Sequence, residues 1–452
     1  MTPSRTKRVL DRSADLAPVP SVSHADPDAA RTRARPPGRA RDEMTAAEAA
    51  SQLGVKLPTL YAYVSRGLLR SLAADGAGRA RRYLRSDVEG LRARQRGAAA
   101  ARALAWGEPV LDSSITAMTP RGPAYRGHVA VDLARRGFSF EAACELLWTG
   151  ALPEPGLRWE APDDAPDFRA AARLLPKDAS RTSCAIALVA IAGANDRHRY
   201  DRRAAAVLPR ARRLARLLAC GLALPEAPER AAEAWEEASI ARAILRACGL
   251  RPRERTIAAL DRWLLLSADH ELNASTFAAR VAASTGADLY AAALAGLAAF
   301  SGPRHGAASD RAEALIAEIA RPADAERVVR ERARRGERVP GFGHEFYRDA
   351  ADPRAVVLIE EAQALAPRAR EVQCVAALVR AMDAAGRPKP NVDVGIVALR
   401  AALGLPLGAA AGVFAVGRSA GWSAHVLEQY ASGQLLRPRA RYLGEPPPEQ
   451  NP

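Results

Sequence analysis

Residues 263–310 read WLLLSADHELNASTFAARVAASTGADLYAAALAGLAAFSGPRHGAASD, and this stretch admits little besides two helices. Phe277, Val281, Leu289, Ala292 and Leu294 recur near helical spacing, and no proline intervenes before Pro303. A Ser-Thr-Gly interruption at 284–286 divides the run in two. The second half is apolar nearly all round, which places it in a core. Gly302-Pro303 ends it, because proline cannot extend a helix and restricts the residue before it. His270 and His305 bracket the stretch. His305 falls on a tight loop or a helix start between Gly302 and Gly306, glycines that let another molecule approach the backbone closely. Taken singly, either histidine reads more readily as a satisfied structural group than as a functional one.

The chain has 452 residues, 48% of them hydrophobic, enough for two or three domains with a large core. It contains no charge-free apolar run of membrane-spanning length and no secretory apolar segment at its start. Cys144, Cys184, Cys220, Cys248 and Cys374 are odd in number, far apart and free of CxxC spacing. That argues against a disulfide framework and a zinc site and suits a reducing cytoplasm. The formal charge of +15 points to an acidic partner, either nucleic acid or small polyanions, unless arginine is merely spread over solvated surface.

Residues 1–42 are rich in Arg, Pro, Asp and Ala without periodicity, so a disordered leader is expected. Asp11, Asp15, Asp26 and Asp28 argue against a transit peptide there. Residues 43–100 read as a separate small unit. Thr45-Ala46-Ala47-Glu48 forms a capping box, and the helix AAEAASQL stops at Gly54. A second helix opens with Pro58 near its first position and ends at Gly67. A hairpin around Asp75-Gly76 and a second capping box at Ser86-Asp87-Val88-Glu89 follow. Helix, tight turn, helix and basic hairpin make a winged helix-turn-helix. Over 44–96, ten Lys and Arg face only Glu48, Asp75, Asp87 and Glu89. The stretch LGVKLPTLYAYVSRGLL resembles the DNA-binding head of MerR-type regulators. The resemblance implies Thr59, Tyr61, Tyr63, Arg66, Arg81 and Arg82 as DNA contacts. A helical pair that only packs on the body or mediates assembly is the alternative.

Residues 97–106 read as a linker or trailing helix. The remainder is patterned as helix, with no repeat and no strand-rich stretch, so a mostly all-α body is expected. Three later stretches, VPGFGHEFYRDAADPRA, NVDVGIVALRAALGLP and VGRSAGWSAHVLEQ with LLRPRARYLG, place His, Asp and Arg beside glycines and turns. Such a set suits an anionic substrate that needs acid and base groups, because arginine forks match carboxylates in a planar, bidentate way.

Together with ADHELNASTFAARVAAST and GPRHGAAS, these stretches resemble the citrate synthase family over about three quarters of the chain. The resemblance implies a large helical domain at 108–305 and 399–452 and a small one at 306–398 that closes over the substrates. It implies that His305 bonds the thioester carbonyl of acetyl-CoA. Asp393 removes a methyl proton, and His344 polarises the keto group of oxaloacetate. His270, Arg354, Arg418 and Arg437 hold carboxylates, with Arg437 reaching into the partner's site of a homodimer. Val339, Pro340, Gly341, Phe342 and Gly343 receive the adenine of CoA. His128, in the family's entry segment, reads as structural. Acetyl-CoA is then a co-substrate, with no permanently bound cofactor and no metal. 2-Methylcitrate synthesis from propionyl-CoA fits the same residues, as does a metabolite-sensing DNA-binding regulator with little turnover. Ala307 and Ser309 depart from the family's usual Gly and Asn. Arg304 adds an unusual charge, and the loop from His344 to Arg354 is one residue longer than usual.

Overall fold

The computed structural model describes residues 43–66, 68–73, 81–89, 91, 111–224, 226–348, 350–440 and 443. The leader, the tip of the hairpin, Gly67 and the 97–106 linker lie outside these residues. The chain divides into two compact units at Val110/Leu111.

In the first unit, Thr45 caps the helix Ala46–Leu53 through the expected reciprocal bonds. Thr45 N–H donates to Glu48 Oε2 at 2.8 Å, and Glu48 N–H donates to Thr45 Oγ1 at 3.3 Å. Gly54 follows in the left-handed conformation, where glycine carries no Cβ penalty. The second helix is Leu57–Ser65, with Pro58 in its first turn. Leu72–Ala73 pairs antiparallel with Arg81–Leu84, so the flanks of the hairpin form as expected. A strand not anticipated, Glu43–Thr45, pairs with the other edge of Arg81–Leu84, with Met44 opposite Tyr83. Residues 85–89 are helical, so Ser86 lies inside the first turn and does not cap it. A small core of Met44, Ala49, Ala50, Leu53, Leu60, Leu69, Tyr83, Val88 and Leu91 holds the unit together.

The second unit opens on a three-stranded antiparallel meander, Thr116–Thr119, Gly122–Tyr125 and His128–Val129. These short strands are the exception in a body that is otherwise helical, as expected of a mostly all-α fold. The strands are too short and too glycine- and proline-rich to show alternation. His128 lies in the third strand. The rest is helical, as its period indicates. The expected pair appears as Ala274–Ser284 and Leu289–Phe300, capped by the side chains of Asn273 and Asp288.

The helix Ala409–Ser432 is the axis of this body. Every residue from Ala409 to Val426 is buried. It packs on Glu254–Ser267, Ala274–Ser284, Leu289–Phe300, Ala204–Gly221 and Phe140–Thr149. Two glycines one turn apart set its closest approach. A Cβ on Gly417 would fall 2.8 Å from Ser267 Cβ, and one on Gly421 would fall 2.6 Å from the Ala268 carbonyl oxygen. Gly421 donates its backbone N–H sideways to that same carbonyl at 2.9 Å. Near the end of the helix, Glu428 Oε1 accepts from the backbone N–H and the hydroxyl of Ser114, at 2.9 and 3.0 Å. The two ends of the body are thereby tied together.

Candidate active site

The turn after Glu254–Ser267 carries His270. Buried Asp269 shapes that turn by accepting the Glu271 N–H at 3.1 Å, and Glu271 sits at φ 56°. Buried Tyr125 donates its hydroxyl to the Leu265 carbonyl at 2.9 Å and accepts the Asp269 N–H at 3.2 Å. Burial opposes ionisation of Asp269, but His425 and Arg418 outweigh it and hold the carboxyl below its usual range. His270 is pushed far below the ordinary imidazole value by burial and by the nearby charges of Arg354 and Arg418, so it is neutral.

His305 lies on the turn after Leu289–Phe300, where its N–H donates to the Gly302 carbonyl at 3.0 Å. Its Nε2 is 2.7 Å from Ser275 Oγ, which also accepts from Trp422 Nε1 at 3.1 Å and faces Asn273 Oδ1 at 2.8 Å. Ser275 has one proton to share between Asn273 and His305, so the tautomer of His305 is decided there. In this arrangement the Ser275 hydroxyl donates to Asn273 Oδ1, so Ser275 accepts from His305 Nε2; turned to Nε2 instead, it would leave the ring proton on Nδ1. Burial, with Arg418 adding to it, pushes the imidazole down to about 4. Gly306 departs from expectation. A Cβ there would meet the Phe300 ring at 2.1 Å, so this glycine admits the chain's own phenylalanine and not another molecule.

His344 is held by a loop laced to the 389–391 segment. Gly341 and Gly343 take positive φ, at 84° and 83°, and a Cβ on Gly341 would fall 2.8 Å from Val394 Cβ. Gly343 N–H donates to the Lys389 carbonyl, Asn391 N–H to the Gly341 carbonyl, and Asn391 Nδ2 to the Gly343 carbonyl at 3.0 Å. Phe342 bridges to Pro390, while Val339 and Pro340 lie half-buried before it. The N–H of Phe346 donates to His344 Nδ1 at 3.1 Å, which leaves the ring proton of the neutral form on Nε2. Burial, then Arg354, lowers the pKa of this histidine as well. Its ring lies 5.2 Å from that of His270 and 4.9 Å from that of Tyr347.

Asn391 caps the helix Val392–Leu403, taking the Asp393 N–H at 3.0 Å. That places Asp393 in the first turn, where a carboxylate is favoured. Burial nevertheless pushes its pKa up to about 6, against the Ser309 hydroxyl and Arg354. Arg354 is buried and forked onto equally buried Asp352, by Nε at 3.0 Å and Nη2 at 2.7 Å. Breaking such a pair by removing one partner costs about 3–5 kcal/mol, since the other charge is left uncompensated. Arg418 donates to the Ser267 carbonyl at 2.9 Å, and burial pulls its pKa down to about 10.

Seven residues were singled out for the chemistry. Six of them, His270, His305, His344, Arg354, Asp393 and Arg418, meet in one electrostatic neighbourhood joined by the two guanidiniums. Arg437 does not join them within one chain; it is exposed on the irregular segment beyond Ser432. Sequence reasoning missed Ser275, Asp352, Asp269 and Tyr347, and marked Ser309 only as a departure from the family's usual Asn. Of these, only Asp352 carried a local signal, being two residues before Arg354. Among the described residues no group of His, Cys, Asp and Glu is arranged to hold a metal. The set offers neutral imidazole donors, a carboxylate that changes charge near neutrality, and buried cations for an anionic ligand. In the first unit, Thr59, Tyr61, Arg66, Arg81 and Arg82 are exposed. Tyr63 packs partly buried against that unit's core.

The family profile "Citrate synthase, C-terminal domain" matches residues 104–439, and "Helix-turn-helix domain" matches residues 43–96. A citrate synthase of Haloferax volcanii is 39% identical over 201 residues, which cover 44% of this chain and 53% of that protein. In that match the chain spans about half the relative's length. A 2-methylcitrate synthase of Mycobacterium tuberculosis is 30% identical over 71% of this chain and 84% of its own length. Among solved structures, a ternary complex of carboxymethyl coenzyme A and oxaloacetate with the citrate synthase of Thermoplasma acidophilum superposes with a TM-score of 0.65. It is 26% identical, covering 78% of this chain and 98% of that one.

The raised pKa of Asp393 has a consequence for stability. A carboxyl held above its unfolded value contributes stability that is present below the unfolded pKa of about 3.9 and lost as pH rises through about 6. Asp393→Asn removes that loss. Its urea midpoint is expected to exceed the parent's at pH 7 to 8, with the gap closing towards pH 4. Coincident midpoints at pH 8 would show that the buried carboxylate carries no penalty.

Proposed function

The chain belongs to the citrate synthase family, and from that premise we propose that it condenses acetyl-CoA with oxaloacetate to give citrate and CoA. The observation that supports this most directly is one carboxylate poised near neutrality beside neutral histidines and two buried guanidiniums. Asp393 takes a proton from the thioester methyl, and the C–H electron pair moves into the enolate. His305, a neutral imidazole, bonds the oxygen where the charge develops once Ser275 turns its proton from Asn273 to Nε2 and leaves the ring proton on Nδ1; without that bond so weak a carbon acid would not ionise. His344 donates from Nε2 to the keto oxygen of oxaloacetate and polarises it for attack. His270, Arg354 and Arg418 hold its carboxylates. Water then hydrolyses the citryl thioester. The loop 339–343 receives the adenine of CoA. Closure of a small domain, 306–398, over a large one, 108–305 with 399–452, excludes water until condensation is complete. No step calls for a permanently bound cofactor. The five cysteines are unpaired thiols and suit a cytoplasmic setting. Propionyl-CoA is the competing donor, because one methylene is discriminated only modestly.

Steady-state release of free CoA, with acetyl-CoA and propionyl-CoA side by side, tests this reading. Acetyl-CoA is expected to give the larger kcat/KM. Asp393→Asn is expected to lower turnover by roughly 10²–10⁴-fold while oxaloacetate still binds. Parent-like turnover by that variant would remove Asp393 as the base, and a preference for propionyl-CoA would make the protein a 2-methylcitrate synthase.

Arg437 is read as the partner's contribution to each site of a homodimer. Its exposed position beyond the last long helix supports this, since a tail there can cross a two-fold interface. Asp393→Ala and Arg437→Ala, each nearly inactive alone, are expected to recover activity when refolded together. Random pairing leaves about one quarter of all sites intact. Verified mixed dimers without recovery would end the shared-site reading.

A second reading concerns the head. Exposed Thr59, Tyr61, Arg66, Arg81 and Arg82 on the second helix and the hairpin favour DNA as its partner. Salt-sensitive retention of the full chain on duplex DNA is expected, and it should weaken when Arg66, Arg81 and Arg82 are all changed to Ala. Equal retention by parent and triple variant would remove DNA binding by this face.

A further inference from the structure

One hydroxyl of the protein sits on the carboxylate read above as the base. Ser309 Oγ donates to Asp393 Oδ1 at 2.9 Å across 84 residues of sequence. Ser309 is fully buried in the first turn of the helix Ala308–Glu318. It follows His305 by four residues, so one short stretch, HGAAS, carries both the donor to the enolate oxygen and a group on the base. The backbone of Asp393 is fixed separately, by Asn391. Two anchors therefore hold this residue, one on the main chain and one on Oδ1, and the proton of the Ser309 hydroxyl is committed to Oδ1.

We propose that Ser309 is the positioning residue of the base: by donating to Oδ1 it holds the carboxylate charged and in place and leaves Oδ2 to accept the substrate's proton. The inference rests on the reading of Asp393 as base. In that step the methyl C–H bond breaks, its electron pair enters the enolate, and the proton becomes bonded to Oδ2. A hydroxyl that keeps its own proton on Oδ1 directs that transfer without taking part in it. The other groups acting on Asp393 are Arg354 and Arg311, which favour its charge, and Asp352, which opposes it. Burial is the dominant influence and disfavours the charge. The Ser309 bond is the largest influence against burial, ahead of either arginine.

The experiment is the pH profile of kcat/KM for the acyl-CoA, measured by CoA release at saturating oxaloacetate, for the full chain and for Ser309→Ala and Ser309→Cys. Both substitutions change a single heavy atom in a buried position, so the fold should persist, and circular dichroism checks it. Rate requires ionised Asp393, so the acid limb of the profile reports its pKa. Loss of the donor is expected to move that limb to higher pH by about one unit in the alanine variant. Cysteine, a weaker donor, should fall between. A limb that stays in place, even with a lower plateau, would overturn the proposal and leave Ser309 a packing residue. If the parent releases no CoA from either acyl-CoA, the condensation reading fails. The carboxyl infrared band, assigned by its loss in Asp393→Asn, then decides the matter. An unchanged titration midpoint in Ser309→Ala would refute the bond's influence on Asp393, and a raised one would sustain it.

Discussion

The contact on which the site depends is the near-touching of two helices at Gly417 and Gly421. Glu254–Ser267 and the turn after it lie so close to Ala409–Ser432 that no Cβ fits at either glycine. Arg418 stands between those glycines on the same helix, and the close approach brings its guanidinium to the Ser267 carbonyl. The same approach seats Asp269 against His425 and directs the strained turn that presents His270. A side chain at either glycine would widen this seam, and in a close-packed interior the displacement would not stay local.

Burial then governs the chemistry. Removing His270, His305 and His344 from water keeps all three imidazoles neutral, while the same removal lifts Asp393 towards neutrality. One physical cause thus yields imidazoles that stay neutral and a carboxyl that can gain a proton near neutrality. The guanidiniums stay charged in so dry a place because each has an acidic neighbour, Asp352 for Arg354 and Asp269 for Arg418.

What could be read from the sequence follows the range of each interaction. The Thr45–Glu48 cap was legible because it closes over three residues. The helix pair at 274–300 was legible from its period and its Ser-Thr-Gly break. The chemical residues were legible only as members of motifs that resemble a family. Their supports were not. His305 leans on Ser275 from 30 residues away, and Asp393 on Ser309 from 84, and no local pattern marks either pairing. The meander at 116–129 was missed because its strands are too short to alternate. Gly306 was misread because the residue that needs its missing side chain, Phe300, could be identified only once the turn was built.

The helix Ala409–Ser432 also follows every other long element among the described residues. The packing of the body waits for it, and its bonds reach back to Ser267 and Ser114 across 151 and 314 residues. Contacts of such separation form late, since most of the chain must be fixed before they are rewarded. During synthesis the head, with its own core and caps, can fold as soon as it emerges. The body cannot close until this helix has been made. For that interval a nascent chain carries a finished head and an open, apolar body, so the two functions proposed here mature at different times on the same ribosome.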